Sequence, residues 1–427
     1  MNAEPDTATP QQVKDVQEAG LRAQIAHVAA HSPFYKSLFK LHGIDPTSIR
    51  SLEDLRRIPC TDKDQLRDHN MDFLCVPREQ VADFVATSGT TGEPVVIALS
   101  DGDLDRLARN EALSFACAGV QPGDVIQLMA TMDRRFMAGL AYFLGARKLG
   151  AGIIRTGAGS PQLQWSSIER LRPDHLVAVP SFLLKMLQYA AENGIDPKST
   201  SVRSIICIGE PVRDRQLAPN ALARRIQDAW PIALHGTYAS TEMATAFTEC
   251  GQFNGGHHRP ELIITEIVDE NGAPVKPGEA GELVVTPLGV EAMPLIRFRT
   301  GDIVEAHHEA CACGRTTMRL GPVLGRKQHM VKYKGTTLYP PVLNDLLASF
   351  LEVEASVVII DRDELGHDEV VVNILCAHRS DALVDKLKEH IRATLRVVPR
   401  LEFVDPQMMA ELQGAGRKKA TVLDRRG

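Results

Sequence analysis

The sequence lacks the features that would place it in a membrane or secreted class. No apolar run reaches the ~18 residues that a membrane-spanning helix needs. The polar, acidic start MNAEPDTATP carries no basic region followed by an apolar stretch, so we expect no secretory signal, no membrane association and a cytoplasmic location. The net charge is −6, and this balance gives no indication of a nucleic-acid partner.

The sequence also gives no reason to expect a disulfide framework or the common phosphate-binding motif. The eight cysteines stand in a chain of 427 residues with 44% apolar residues, which is too large and too rich in core-forming residues to need a disulfide framework. There is no G-x-x-x-x-G-K-[ST] loop, so the common phosphate-binding motif is excluded. No internal repeat or low-complexity segment is evident. The length alone favours two or three domains.

Residues 122–236 show the alternation that is typical of an α/β fold. The short apolar runs VIQLMA, HLVAVP, SIICIGE and PIALHG are separated by helical segments such as 137–149 and 181–193. Short buried strands that alternate with helices predict a largely parallel sheet.

The pattern changes twice towards the C-terminus. Around 260–288, paired apolar runs split by Asn271-Gly272 and Pro277-Gly278 predict antiparallel hairpins. From about 328 a helix, a hairpin, a second helix and a strand predict a small α+β domain. We therefore expect a large N-terminal domain over 1–327, with mixed sheets and an antiparallel subregion, and a small mobile C-terminal domain over 328–427.

The segment TSGTTGEP at 87–94 follows an apolar run and places four hydroxyl side chains and two glycines within 87–92. Glycine permits close approach of the backbone to an anion, and exposed amides and hydroxyls supply donors. Taken alone, the segment is equally well explained as a plain polar turn.

Further segments resemble those of the adenylate-forming superfamily and stand in the same order along the chain. They are Gly209-Glu210-Pro211, the stretch Tyr238-Ala239-Ser240-Thr241-Glu242, Arg299-Thr300-Gly301-Asp302, and Gly325-Arg326. The N-terminal text SPFYKSLFKLHGIDP and SLEDLRRIPCTDKDQLR is similar to phenylacetate–CoA ligases and their relatives. This resemblance covers essentially the whole chain, from about 20 to 424.

The resemblance implies a set of nucleotide-binding residues. The phosphates of ATP would be held by Thr87, Ser88, Gly89, Thr90, Thr91 and Gly92. The adenine and ribose would meet Gly209, Glu210, Pro211, Tyr238, Ala239, Asp302 and Arg326. Glu242, after Thr241, would be the magnesium ligand, since a hard cation that bridges phosphates needs only one or two carboxylates. Taken alone, Glu242 also suits the start of a helix.

The C-terminal tail departs from the family pattern. Relatives carry a lysine after a glycine, and it reaches the α-phosphate; here Gly416 is followed by Arg417, Lys418 and Lys419. Counting back from Val422-Leu423-Asp424 favours Lys418 as the catalytic lysine. Counting forward from Gly416 selects Arg417 instead, and an arginine is not equivalent to a lysine at a phosphate. Gln328 stands where relatives often have an acidic hinge residue.

Four residues form a candidate zinc site. Cys250, His257, Cys311 and Cys313 make a Cys3His set that suits a tetrahedral structural zinc ion with no open position. Relatives have a similar Cys…Asn-Gly-x-His stretch and a Cys-x-Cys-Gly-Arg stretch. His258 is the alternative histidine, His307 and His308 are further competitors, and reduced cysteines in a loop are the simpler interpretation.

The acyl pocket implied by the resemblance includes Arg135, Phe136, Ala138, Gly139, Phe182 and Gly236. The charged stretch Asp133-Arg134-Arg135 differs from phenylacetate ligases, so phenylacetate itself is not assumed. Either arginine is a candidate for a second polar group of the substrate, and a surface salt bridge with Asp133 is the favoured alternative.

Three hypotheses follow for the function. The first is an acyl- or aryl-CoA ligase that uses ATP, Mg²⁺ and CoA and carries structural Zn²⁺. The second is a stand-alone adenylation enzyme that loads a carrier protein or another nucleophile. The third is a zinc-stabilised nucleotide-binding protein without catalysis, motivated by Arg417, Gln328 and Val95, which stands where relatives have lysine. A homodimer is left open.

Overall fold

The computed structural model describes residues 7–87, 95–333, 336–350, 352–362, 368–414 and 419–426. The chain divides into two compact units. The first comprises Met1–Ala218, Ile226–Thr300 and Val304–Pro322, and the second comprises Pro219–Arg225, Gly301–Ile303 and Val323–Gly427.

The first part of the chain is helical and ends in a hairpin. Its helices are α1 (Pro10–His31), α2 (Pro33–Leu41), α3 (Leu52–Leu55) and α4 (Lys63–Asp68). Strands β1 (Val81–Ala86) and β2 (Val96–Ser100) pair antiparallel and flank the predicted phosphate loop. Each of α1, α3 and α4 begins with a capping box, in which the N-cap side chain and the third helical residue satisfy each other's amides.

The alternating segment forms the predicted parallel sheet. Its elements are α5 (Asp101–Cys117), β3 (Val125–Leu128), α6 (Met137–Leu149), β4 (Gly152–Arg155), α7 (Pro161–Leu171), β5 (His175–Ala178), α8 (Pro180–Glu192), β6 (Ser204–Ile208), α9 (Ala221–Ala229) and β7 (Ala233–Ser240). All residues of β5 and β6 are buried, as expected for strands covered on both faces. Strands β3 to β7 pair in parallel in the order β4-β3-β5-β6-β7.

Antiparallel strands continue this sheet and form a second one. The strands are β8 (Thr245–Glu249), β9 (Gly256–His257), β10 (Ile263–Val268), β11 (Gly281–Pro287), β12 (Phe298–Val304), β13 (Ala306–His307), β14 (Arg319–Leu320) and β15 (Gly325–Arg326). Strands β8, β9, β14 and β13 extend the parallel sheet to nine strands, and a further sheet follows the order β10-β11-β12-β15. The predicted hairpin over 260–288 is thereby confirmed as the β10–β11 pair.

The second unit has its own sheet and core. Its remaining elements are β16 (Val331–Tyr333), β17 (Thr336–Leu338), α10 (Pro340–Ala348), β18 (Val353–Arg362), β19 (Asp368–Cys376), α11 (Asp381–Leu395), β20 (Arg400–Phe403), α12 (Pro406–Gln413) and β21 (Val422–Asp424). The sheet order is β20-β19-β18-β21. Its buried core draws on the strands and on α10 and α11, including Leu343, Ile360, Val372 and Leu387.

The described residues contain no helix that is both long and apolar enough to cross a membrane.

Candidate active site

The predicted binding segments of the first unit follow neighbouring parallel strands. The register pairs Leu128 with Val177, Ala178 with Cys207, and Ile208 with Thr237. The carboxyl ends of β3, β5, β6 and β7 therefore meet at one edge of the sheet, where ligands bind in open α/β folds. The segments 131–139, 180–182, 209–211 and 238–242 follow or end these strands.

A hydrogen-bonded contact joins two of these segments. The backbone amide and the hydroxyl of Ser181, at the start of α8, each donate to the Glu210 carboxylate at 2.9 Å. The preceding residue, Gly209, has a φ of +77°, a left-handed conformation that glycine adopts without a steric penalty. The turn after β6 is therefore shaped by a glycine and fixed to the start of α8 by an acid.

Strand β7 carries the predicted adenine and acyl contacts. The Gly236 amide donates to the buried Glu249 carboxylate at 2.8 Å, and Arg213 Nε lies 3.2 Å from the same carboxylate. The Tyr238 ring packs against Phe247, with 6.2 Å between centroids. Ala239 pairs with Ala246 of β8 and is exposed. Sequence reasoning missed Glu249 because an acid inside an apolar strand gives no local signal of its partner.

Glu242 lies in the turn that follows β7, directly after Thr241. Its carboxylate is 11% exposed, and Lys63 Nζ stands 3.5 Å from it. Lys63 is the first residue of α4, so the Asp62 cap that starts this helix also sets the position of the cation. Sequence reasoning missed Lys63, because nothing in the sequence pairs position 63 with position 242.

The phosphate loop is described only at its base. Ser88, Gly89, Thr90, Thr91 and Gly92 lie outside the described residues. The Thr87 amide donates to the Val95 carbonyl at 2.9 Å and closes the hairpin below the loop. Thr87 is buried, and among the described residues its hydroxyl has no hydrogen-bond partner. A buried hydroxyl needs a partner, which is consistent with a ligand or loop amide at this position.

The charged stretch after β3 touches the base of the phosphate loop. The Ala86 amide, at the end of β1, donates to the Arg135 carbonyl at 2.9 Å. Arg134 and Arg135 have φ values of +56° and +59°, which is costly for residues with a side chain and is concentrated at functional sites. Arg134 and Asp133 are 3.9 Å apart and both are highly exposed, as in the surface salt bridge that the sequence favoured.

The other predicted pocket residues lie at the starts of two helices. Phe136 precedes α6 and is half-buried, Ala138 is half-buried, and Phe182 is half-buried in α8. Gly139 is buried, and a Cβ placed on it would lie 2.0 Å from the Thr131 carbonyl oxygen. Only glycine fits at that position, because the helix and the strand-end loop approach each other closely.

Asp302 and Arg326 belong to the second unit. They are register partners in β12 and β15, and Arg326 Nε lies 3.2 Å from Asp302 Oδ1. The structure thus brings together the two predicted nucleotide contacts of this unit.

The tail residues Arg417 and Lys418 lie outside the described residues. Lys419 is described, and its ammonium donates to Gln413 Oε1 at 2.7 Å. The carbonyl of Gln328, the predicted hinge, accepts a hydrogen bond from Arg426 Nη2 at 2.6 Å. Sequence reasoning missed Arg426, which also pairs with Asp424 at 2.7 Å.

The four predicted zinc ligands lie together. One ligand atom from each of Cys250, His257, Cys311 and Cys313 falls within 4.8 Å of all the others. Cys250 Sγ is 3.7 Å from Cys311 Sγ, and Cys313 Sγ is 3.6 Å from His257 Nε2. Tetrahedral zinc, with its usual bond lengths, requires about 3.8 Å between two sulfurs and about 3.6 Å between sulfur and nitrogen. The donor set and its spacing therefore fit zinc.

The alternative histidines lie elsewhere. His258 Nε2 is 2.8 Å from the Ile263 carbonyl, and its ring stacks on Phe247. His307 and His308 are not members of the cluster. Cys250 directly follows β8 and His257 lies in β9, while the Cys-x-Cys pair precedes β14. Because β14 pairs with β9, the cluster joins two loops of the nine-stranded sheet.

The sequence of the chain matches a known enzyme family. The model of the AMP-binding enzyme family matches residues 15–291. The chain belongs to this family. A phenylacetate-coenzyme A ligase of Thermus thermophilus is 31% identical over 446 residues, covering 99% of this chain and 98% of that protein. The Escherichia coli phenylacetate-coenzyme A ligase is 30% identical and covers 81% of this chain and 78% of its own length.

Solved structures agree on the fold. The crystal structure of 2-hydroxyisobutyryl-CoA ligase in the postadenylation state, in complex with R3-HIB-AMP, has a TM-score of 0.86. It is 23% identical and covers 99% of this chain and 91% of that chain. The predicted family and fold class are confirmed. This AMP-binding enzyme is an acid–thiol ligase that converts a carboxylic acid and ATP to acyl-AMP and passes the acyl group to CoA.

Proposed function

We propose that the acid is an aryl or small carboxylic acid and that it is activated at the carboxyl edge of β3, β5, β6 and β7. The observation that carries this proposal is the meeting of 131–139, 180–182, 209–211 and 238–242 at that edge. The relatives named phenylacetate-coenzyme A ligase support an aryl acid. The arginines after Asp133 set this pocket apart from theirs, so the acid is not taken to be phenylacetate.

Charge stabilisation is the main chemical task, because a carboxylate must approach the α-phosphate and pyrophosphate must leave. Glu242 would hold Mg²⁺ together with the phosphates, and the ion would neutralise charge as pyrophosphate departs. Lys63, 3.5 Å from Glu242, would add a cation beside the phosphates. Thr241 and the loop at 87–92 would orient the triphosphate.

The remaining roles are assigned by motif. Asp302 suits the ribose because a carboxylate offers two acceptor oxygens to a vicinal diol, and Arg326 at 3.2 Å orients it. Gly209, Glu210, Pro211, Tyr238 and Ala239 would face the adenine. Lys418 would reach the α-phosphate. We propose domains over 1–327 and 328–427, with Gln328 as the hinge.

The acyl pocket would be formed by half-buried and small residues at the starts of α6 and α8 and in β7. Phe136 and Phe182 supply aromatic walls and Ala138 leaves room for the acid, while Gly139 and Gly236 allow close packing against Thr131 and Glu249. Arg135 stands at the rim, tied through its carbonyl to Ala86.

The test is acid-dependent exchange of labelled pyrophosphate into ATP over a panel of aryl and short aliphatic acids. We expect exchange with aryl or small acids and an acyl-CoA product when CoA is added. Glu242→Gln should lower exchange by about 100-fold, while Glu169→Gln on the exposed face of α7 should not. No exchange with any acid would reject the proposal, and acylation of a carrier protein without acyl-CoA would reject CoA as the acceptor.

We also propose that the Cys3His cluster binds a structural zinc ion. Its four protein ligands fill a tetrahedral site, so the metal would stabilise the two loops and take no part in the chemistry. Elemental analysis of freshly purified protein should give about one zinc per chain. Cys311→Ser should lower both the zinc content and the melting temperature, whereas Cys376→Ser in β19 should leave the zinc content unchanged. Freshly purified protein that contains no zinc would reject the assignment.

A further inference from the structure

The turn that carries Glu242 is held in an uncommon backbone conformation. Ala244 has a φ of +46°, and its amide donates to the Thr241 carbonyl at 3.3 Å. The Met243 amide donates to the Ser240 hydroxyl at 3.3 Å. A non-glycine residue in the left-handed region is strained and persists only where its surroundings impose it. Some other part of the molecule must therefore hold this turn.

A buried arginine of α5 makes that contact. Arg106 is buried, and its guanidinium donates to four groups: the Leu288 carbonyl at 2.6 Å, the Ala244 carbonyl at 2.5 Å, the Thr245 hydroxyl at 3.1 Å and the Leu262 carbonyl at 2.6 Å. Burial lowers the pKa of Arg106 to about 10, so the group remains charged at neutral pH. A planar fork of donors can serve four acceptors at once, and a lysine ammonium cannot.

The same face of α5 anchors the strand that follows the turn. Asn110 accepts from the Ala246 amide at 3.1 Å, and the hydroxyls of Ser114 and Thr248 are hydrogen-bonded. Positions 106, 110 and 114 are four residues apart and therefore lie on one side of the helix. The anchors run along β8, and Arg106 is the one beside the turn.

We propose that Arg106 is a positioning residue for adenylation, which fixes the turn at 241–244 and thereby directs the Glu242 carboxylate at the magnesium–ATP complex. The proposal rests on the proposed role of Glu242. The contact ties the carbonyl of Ala244, two residues from the acid, to the rigid face of a helix. Groups that orient a metal ligand typically change metal affinity by 10–100-fold when they are removed.

The experiment is the Mg²⁺ dependence of acid-dependent pyrophosphate exchange in Arg106→Lys. We expect the half-saturating Mg²⁺ concentration to rise about tenfold, while the rate at saturating Mg²⁺ stays within about threefold of the wild type. Thr245→Val, which removes one of the four hydrogen bonds, should raise it about two- to fivefold. This second variant decides the matter if the lysine variant does not fold.

Ser114→Ala is the matched control, because it removes a buried α5–β8 hydrogen bond two turns away from Arg106. It should lower the melting temperature and leave the Mg²⁺ dependence unchanged. A wild-type Mg²⁺ dependence in both Arg106→Lys and Thr245→Val overturns the proposal, and so does an equal shift in Ser114→Ala. Glu242→Gln distinguishes failure of this proposal from failure of the proposed role of Glu242. If the Mg²⁺ dependence of this variant is normal, Glu242 is not the magnesium ligand and both proposals fail.

Discussion

At the scale of single residues, Glu111 is a buried acid whose protonation is linked to folding. Burial raises its pKa to about 8 from an ordinary 4.5, and Asn110 donates to its Oε1 at 3.0 Å. The unfolded chain loses this proton near pH 4.5, whereas the folded chain keeps it until about pH 8. The contribution of Glu111 to stability is therefore greatest below pH 4.5 and falls as the pH rises through this window.

Glu111→Gln should remove that loss, because an amide keeps the hydrogen bond and never ionises. We expect the variant to gain on the order of 2–4 kcal/mol at pH 8 and to match the wild type at pH 4.5. Denaturant unfolding at both pH values measures the difference. A gain of equal size at both would show that packing, not ionisation, is responsible; Glu169→Gln on α7 serves as the exposed control.

Lys63 is the second residue-scale case. Since its ammonium faces Glu242 at 3.5 Å, we expect Lys63→Met to slow pyrophosphate exchange by about 10–100-fold and Lys63→Arg to slow it less. Lys40→Met, which removes an exposed cation from α2, is the control. Exchange at the wild-type rate in Lys63→Met would place the lysine outside the reaction.

Residues in contiguous motifs were predictable, and residues that act across the chain were not. The Cys3His set was predicted from Cys-x-Cys and a spaced Cys and His, and the structure assembles it from 250–313. Arg106, by contrast, contacts residues 138 to 182 positions away. The sequence alone does not distinguish a buried arginine from an exposed one in a helix, because its acceptors come from distant parts of the chain.

At the scale of elements, the periodic segments were predicted well. The alternation over 122–236 gave strands β3, β5, β6 and β7, and the two helices predicted after 328 are α10 and α11. Strand pairs formed by two residues, such as β9 with β14, could not be predicted because they depend on long-range partners instead of on a period.

The segment from Gln328 to Met330 is held by the end of the chain. Arg426 donates to the Gln328 carbonyl at 2.6 Å and to the Met330 carbonyl at 3.2 Å, and it also pairs with Asp368 and Asp424. We expect Arg426→Gln to destabilise the second unit by about 0.5–1.5 kcal/mol, because the half-buried Met330 carbonyl and Asp368 carboxylate lose a donor. Hydrogen exchange of 327–333 should then accelerate.

Arg425→Gln is the neighbouring control, since Arg425 is exposed. Unchanged exchange over 327–333 in Arg426→Gln, or equal acceleration in Arg425→Gln, would contradict the idea that Arg426 anchors this segment.

At the scale of the whole molecule, each unit has a hydrophobic core of its own. The core of the second unit is built from residues between 331 and 422 and contains Leu387. A core of the first unit contains Leu128 and Phe115. Deleting a buried leucine side chain costs about 2–5 kcal/mol and acts on the core that loses it. We therefore expect a substitution in one core to destabilise the unit that contains it and to leave the other unit stable.

We expect Leu387→Ala to increase hydrogen exchange throughout β18, β19 and α11 and to leave α5 and β3 protected. Leu128→Ala should do the reverse. If either variant exposes both sets of amides equally, the chain unfolds as a single cooperative body and the proposed domain division is wrong.

The close contact of Gly139 with Thr131 restricts how this enzyme can be re-engineered. A side chain at 139 would meet a backbone oxygen at 2.0 Å, so no substitution there reshapes the proposed acyl pocket without moving the loop. Phe136, Ala138 and Phe182 already carry side chains and are only half-buried. A library meant to change acid preference should vary those three positions and keep the glycine, because variants at 139 will be lost to misfolding before selection can act on their specificity.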